Sequence, residues 1–355
     1  MLYLAIDQHS KQLTVNLRNE SGDVLVRKQV STRDPGPREF FGKLSEQAGL
    51  EGYAAIVEVC GFNDWLLDLL PQVGCREIVL VHPGKPGKRK TDHRDANQLG
   101  ELLWVNRRRL LSHERVQGLR RVNIPSVSER EARRLVSMRY RSGVEKTRTL
   151  NRLQTILRRH NLQHACPTKT IQSKRAQAWL ETLSLPELDR FEMDQFLARR
   201  KLLEQQREAI DALIDQGFQA SPEAQLLRSL PGAGPYTALG LAAYVGDIKR
   251  FPRPRSLANY WGLTPTCHNS GESGQRLGSI SKQGAALPRF LLAQVVLNAL
   301  KRDGGMRSWY LGLRRRRGSK IARVAVMRRL CTIVWHMLTH RELYRYGARP
   351  KELVP

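Results

Sequence analysis

Four carboxylates in the first hundred residues, Asp7, Glu58, Asp92 and Asp95, are the side chains of this sequence best suited to chemistry. Asp7 closes a stretch whose other face carries Leu2, Leu4 and Ile6, and Glu58 closes a second apolar stretch that begins at Ala54. Asp92 and Asp95 are three residues apart, a spacing that puts both on one helical face. Two like charges about 4 Å apart repel by about 4 kcal/mol at an effective dielectric of 20, so converging carboxylates need cations or protons beside them. Hard oxygen donors suit Mg²⁺, and two such ions about 4 Å apart can stabilise both the attacking and the leaving oxygen of an in-line phosphoryl displacement. Taken singly, each acid has an ordinary reading as good as the chemical one: Asp7 as the cap of a turn, Asp92 as the cap of the next helix and Glu58 as a solvated charge. Taken together on a very basic chain, the four point to phosphodiester chemistry on nucleic acid.

The elements that must position these acids follow a definite order. Leu2 to Asp7, Gln12 to Arg18 and Asp23 to Val30 read as an antiparallel meander that turns around His9-Ser10 and Ser21-Gly22. A helix from Pro37 to Gln47, a strand from Ala54 to Val59, a helix from Asn63 to Val73, a strand from Glu77 to His82 and a helix from Asp92 to Val105 follow. Three strands and then alternating helix and strand is the ribonuclease H-like order, in which the strand ending at Glu58 lies beside the strand ending at Asp7. From Ser112 to Gln219 the pattern changes to long polar helices. Leu150, Leu153 and Leu157, then Leu202, Leu203, Ile210, Leu213 and Ile214, recur at helical spacing and predict a coiled-coil-like arm. The expected division is an α/β domain over 1–111, a helical arm over 112–220, a mainly helical domain over 221–346 and a tail over 347–355.

Composition narrows the partners. A formal charge of +27 is the electrostatic footprint of a polyanion binder, and 41% hydrophobic residues are enough to bury a core. There is no apolar run of the length a membrane span needs, and the opening Met-Leu-Tyr-Leu-Ala-Ile-Asp reads as a strand rather than a signal peptide, so a cytoplasmic protein is expected. The five cysteines lie far apart without zinc-ligand spacing and are expected to be reduced thiols. Gly36 to Leu44 only approaches a Walker A loop, with one residue too many between its glycines, so ATP is not expected.

In the last third, Leu230-Pro-Gly232-Ala-Gly234-Pro before an apolar helix looks like a helix-hairpin-helix, whose turn offers backbone N–H groups to a phosphate. Thr237 stands where a dinucleotide fingerprint needs its third glycine, which removes a Rossmann reading. Ser281-Lys282 suits a phosphate clamp. Arg314, Arg315, Arg316, Arg317 and Lys320, followed by Arg323, Arg328 and Arg329, form the densest basic stretch and suit a nucleic-acid backbone.

Ala-Ile-Asp7, Glu58-Val-Cys-Gly61 and Lys-Thr-Asp92-His-Arg-Asp95-Ala resemble the amino-terminal half of the DEDD transposases of bacterial insertion sequences, a family described as bridge-RNA-guided recombinases. Leu-Pro-Gly232-Ala-Gly234-Pro-Tyr-Thr-Ala, Val-Gly246-Asp-Ile, Leu257-Ala-Asn-Tyr-Trp-Gly262-Leu-Thr-Pro265, Ser270-Gly271 and Ile280-Ser281-Lys282-Gln-Gly284 are similar to its transposase domain, in the same order. The resemblance departs at Cys60, where a small hydroxyl residue is common, and at Phe62 and Asn63, which replace the usual aromatic spacing. It implies a RuvC-like ribonuclease H fold whose four acids hold two Mg²⁺ ions, with Mn²⁺ as a substitute. It further implies that Ser270, placed after Gly-Leu-Thr-Pro and before Gly, attacks DNA to give a phosphoserine intermediate, with Ser273, Ser279 and Ser281 as rivals. The partners it implies are double-stranded DNA at the element ends and target, a non-coding guide RNA, and further copies of the chain as a homodimer or homotetramer. Arg107 to Arg109, Arg133, Arg134, Arg158 and Arg159 are the basic residues suited to that RNA. The alternatives are a Holliday-junction-resolvase-like, structure-selective nuclease that uses metal-activated water and no serine, and a non-enzymatic nucleic-acid-binding protein.

Overall fold

The computed structural model describes residues 1–82, 92–268 and 276–346. The chain forms two compact units, Met1–Ile124 and Pro125–Pro355.

The first unit is built on β1 (Leu2–Gln8), β2 (Gln12–Arg18), β3 (Val24–Ser31), α1 (Gly36–Ala48), β4 (Tyr53–Glu58), α2 (Asp64–Gln72), β5 (Cys75–Val81), α3 (Asp92–Val105) and α4 (Arg107–Leu111). Its five strands lie in the order β3-β2-β1-β4-β5, with β1, β2 and β3 antiparallel and β1, β4 and β5 parallel. The two-residue period of a strand sends alternate side chains to opposite faces. Leu4, Ile6, Leu13, Val15, Leu17, Tyr53, Ala55 and Val57 fill one face beneath Phe41 and Leu44 of α1 and Leu66 and Leu70 of α2. Tyr3, Ala5, Ala54, Ile56 and Val79 fill the other beneath Leu99 and Leu103 of α3 and Leu110 of α4. With helices on both faces, β1 and β4 must be apolar almost throughout, which explains their continuous hydrophobic runs. Each fully buried Leu or Ile contributes roughly 1.5–3 kcal/mol.

The second unit contains α5 (Val127–Arg159), α6 (Lys174–Thr182), α7 (Glu187–Gln219), α8 (Pro222–Leu227), α9 (Pro235–Val245), α10 (Pro254–Tyr260), the hairpin strands β6 (Pro265–His268) and β7 (Arg276–Ile280), α11 (Ala286–Arg302) and α12 (Gly304–His340). A capping box starts α5: the Ser126 hydroxyl accepts from the Glu129 N–H, and the Glu129 carboxylate accepts from the Ser126 N–H. The 33-residue helices α5 and α7 run antiparallel, as the ion pairs Arg139–Asp211 (2.5 Å), Lys146–Glu204 (3.1 Å) and Arg159–Asp189 require. Leu150, Leu153, Leu157, Leu203 and Ile214 point inward along this pair. Leu202 and Leu213, expected in the same seam, are 52% and 48% exposed, because each sits one position round the helix from an inward residue. Both long helices also pack on α9, the most buried helix of the main core.

Candidate active site

Strand pairing places two of the four acids together. In the parallel β1–β4 ladder Ile6 is opposite Val57, so the next residues, Asp7 and Glu58, stand level at the carboxyl ends of neighbouring strands. Ile6 and Val57 face the α1/α2 side, so Asp7 and Glu58 both face the α3 side. Helix α3 packs across β1 and β2 on that side and carries Asp95, which is half-buried. Its direction follows from its contacts. Asn97 Oδ1 accepts from Asn16 Nδ2 at 3.3 Å and from Arg18 Nη2 at 3.1 Å, while Trp104 Nε1 donates to the Glu20 carbonyl at 3.1 Å. The carboxyl end of α3 therefore lies over the β2–β3 turn, and Asp95 is displaced toward the Asp7 end of the sheet. Asp92 opens α3, and its side chain lies outside what the structure describes. Among the described residues, no three His, Cys, Asp or Glu side chains gather closely enough to hold a metal ion.

Three polar features that the sequence reading passed over surround these acids. His9 Nε2 lies 3.1 Å from Asp7 Oδ2. Asn63, only 5% exposed, donates from Nδ2 to Gln8 Oε1 at 2.8 Å and to the Glu58 carbonyl at 3.0 Å, and its Oδ1 accepts from the Cys60 N–H. Gln8 returns a bond from Nε2 to the Phe62 carbonyl at 3.0 Å. The loop after Glu58 is thereby tied to the residue after Asp7. Asn63 sits where a helix cap would, but its side chain serves this cross-link instead of α2. Its position just before a helix was the one signal available in the sequence.

The third feature is Thr14. It is fully buried, pairs directly across β1–β2 with Asp7, and its Oγ1 has no hydrogen-bond partner. An unsatisfied buried hydroxyl costs about 1–3 kcal/mol, so this one calls for a reason. Nearby, the Cys60 thiol is pushed up chiefly by burial; a backbone bond at Phe62 opposes the shift and the Asp7 charge adds to it. The donors of this face, carboxylate oxygens with a spare hydroxyl beside them, match a hard divalent cation better than a soft one.

In the second unit, Ser270 and Ser273 lie outside the described residues, between β6 and β7. Two glycines fix the base of that hairpin. Gly262 has φ of +65°, and a Cβ there would come within 2.3 Å of the Gln283 carbonyl oxygen; at Gly284, φ is +80° and a Cβ would meet the Tyr260 carbonyl oxygen at 2.3 Å. Only glycine permits both the positive φ and the close crossing. Between them the Ser281 N–H donates to the Thr264 carbonyl at 2.9 Å, the Lys282 N–H donates to the Gly262 carbonyl at 3.1 Å, and Lys282 itself adopts φ of +53°. The Lys282 side chain is exposed.

The α8–α9 turn has Gly232 at φ of +78° against Asn298, whereas Gly234, the residue before α9, has open space where a Cβ would go. Arg314, Arg315, Arg316, Arg317 and Lys320 are all exposed on α12, on either side of a break at Gly318, where φ is +79°. Among the described residues no helix is long and apolar enough to cross a membrane.

Residues 224–311, from α8 into the start of α12, match the family model described as Transposase IS116/IS110/IS902 family. The transposase for insertion sequence element IS1111A of Coxiella burnetii (strain RSA 493 / Nine Mile phase I) is 28% identical over 317 residues, covering 86% of this chain and 83% of that protein. A Sinorhizobium fredii (strain NBRC 101917 / NGR234) protein, y4pF/y4sB, provisionally named a transposase, is 27% identical over 90% of this chain and 80% of its own length. The insertion element IS110 uncharacterized 43.6 kDa protein of Streptomyces coelicolor (strain ATCC BAA-471 / A3(2) / M145) is 36% identical over 108 residues, 30% of this chain and 26% of that protein. A stretch matched by a transposase family model, with similarity to transposases extending over most of its length, makes this chain similar to the insertion-sequence transposases.

Proposed function

We propose that this chain is a transposase that cuts and rejoins DNA through a Ser270 phosphoserine intermediate, with Mg²⁺ held by Asp7, Glu58, Asp92 and Asp95 of a ribonuclease H-like first unit. The observation that carries the metal site is the level placement of Asp7 and Glu58 on one sheet face, with α3 and Asp95 crossing that same face. The sheet order, an antiparallel meander flanked by two parallel strands, supports the ribonuclease H-like reading.

When bound, Mg²⁺ would stabilise charge on the oxygens that enter and leave phosphorus, with Mn²⁺ able to substitute. The chain's own part is nucleophilic. Ser270 Oγ forms a bond to a DNA phosphorus as the bond to one deoxyribose oxygen breaks; that oxygen keeps the electron pair and ends as a hydroxyl, taking up a proton. An incoming DNA hydroxyl later attacks the same phosphorus and restores the serine. The phosphodiester energy is kept in the serine ester, so no ATP is required. Exposed arginines on α12, and the turn around Gly232 and Gly234, are assigned to the nucleic-acid backbone. Ser281-Lys282 is assigned to a phosphate. Cutting two strands at two sites calls for several catalytic centres, hence a homodimer or homotetramer. An element-encoded guide RNA is inferred from the resemblance together with the +27 charge.

The test is strand exchange between element ends and target, with the nucleic acid that co-purifies supplied back. Asp7→Asn and Ser270→Ala are each expected to abolish exchange, and chelation by EDTA to do the same for the wild type. If Ser270→Ala still cuts DNA while Asp7→Asn does not, the enzyme is a nuclease that uses activated water.

A further inference from the structure

We infer that Thr14 is a positioning residue of the candidate metal site, its hydroxyl reserved for the Asp7 carboxylate in the cation-bound state. The inference rests on the metal reading proposed above and adds to it a residue outside the four acids.

Thr14 shares a face with Asn16 and Arg18, the alternate residues of β2, and both of those bond Asn97 of α3. Thr14, the one nearest the acids, bonds nothing, although it is completely buried and Oγ1 is shut from water. Its cross-strand neighbours are Asp7 on β1 and Gln29 on β3, and Gln29 is exposed. Residues directly opposite in an antiparallel pair have Cβ atoms about 4.5–5.5 Å apart, so a side-chain rotation of Asp7 brings its carboxylate within reach of the hydroxyl. From the other side His9 Nε2 is 3.1 Å from Asp7 Oδ2. A carboxylate that binds a cation through one oxygen must be held by neighbours at the rest of its lone pairs, and partners of this kind set the ligand's orientation and the affinity of the site. A valine would fill the same space with greater favour in the cation-free protein. The retained hydroxyl is therefore explained by a second state, in which Asp7 is turned by the cation and accepts from Thr14.

The experiment is Mn²⁺ titration by calorimetry and Mn²⁺-dependent thermal shift on the full chain, for the wild type, Thr14→Val, Thr14→Ser and Asp7→Asn. Thr14→Val is expected to melt at the same temperature as the wild type or higher without Mn²⁺, yet to bind Mn²⁺ about tenfold more weakly. Thr14→Ser, which keeps the hydroxyl, is expected to restore the affinity, a rescue that a packing role for the methyl group would not give. Equal Mn²⁺ affinity in the wild type and Thr14→Val overturns this inference and leaves the metal site standing. No Mn²⁺ binding by the wild type, or binding unchanged in Asp7→Asn, overturns the metal site and Thr14's role with it. Should Thr14→Val fail to fold, Thr14→Ser binding about tenfold more weakly than the wild type would equally contradict the role assigned to the hydroxyl.

Discussion

The Asn63 side-chain amide donates 2.8 Å to Gln8 Oε1, joining the residue after Asp7 to the loop after Glu58. One buried bond thus bridges the ends of the two strands that present those acids. The spacing of Asp7 and Glu58 is held by neutral polar groups on the opposite face, where they do not compete for a cation.

Asn63→Ala removes this bridge and leaves the Gln8 amide, the Glu58 carbonyl and the Cys60 N–H short of partners. A loss of about 2–3 kcal/mol in unfolding free energy is expected, read by urea denaturation of the full chain, and strand exchange should fall with it.

Gly262→Ala and Gly284→Ala each force a Cβ onto a carbonyl oxygen at a positive φ. A cost above about 2 kcal/mol is expected from strain and overpacking, with loss of the conformation at the base of the β6–β7 hairpin. Gly234→Ala meets no neighbour and has φ of −87°, so its melting temperature should match the wild type within the error of calorimetry.

Burial pushes the Cys75 thiol up to about 12 from 9.0. The folded value lies above the unfolded one, so the protonated thiol's contribution to stability is complete below about pH 9 and is lost as pH rises toward 12. Site-mapped alkylation at pH 8 should modify the half-buried Cys60 and Cys166 well before Cys75. Native-state labelling of Cys75 as fast as that of Cys166 would contradict its burial.

Changing Arg314 to Arg317 together to glutamine removes four exposed cations from α12 without touching the core. The slope of log affinity against log salt for duplex DNA should drop by ~3–4, and the melting temperature should not move.

Most of the first unit could be read directly from the sequence, since each strand and helix expected there occurs within two residues of its predicted bounds. The two-sided apolar runs at Leu2–Gln8 and Tyr53–Glu58 mark central strands, and their carboxyl-terminal acids stand out by contrast. Thr14 and Asn63 could not be recognised in the same way. A threonine in a strand and an asparagine before a helix are each ordinary, and their meaning lies in cross-strand and loop partners 7 and 55 residues away. The arm showed a similar limit. Its periodicity announced long helices, but adjacent pairs such as Leu202-Leu203 and Leu213-Ile214 leave the inward member to be chosen by packing.

The central claim is a serine-linked DNA intermediate made with the help of the first unit's acids. The direct measurement is recovery of a covalent protein–DNA adduct from a nicked element-end substrate under denaturing conditions, followed by mass-spectrometric mapping of the linked residue. A Mg²⁺-dependent adduct on Ser270, absent from Asp7→Asn and from Ser270→Ala, is the predicted result. An adduct on another residue, or DNA cleavage at full rate in Ser270→Ala with no adduct in the wild type, would contradict it.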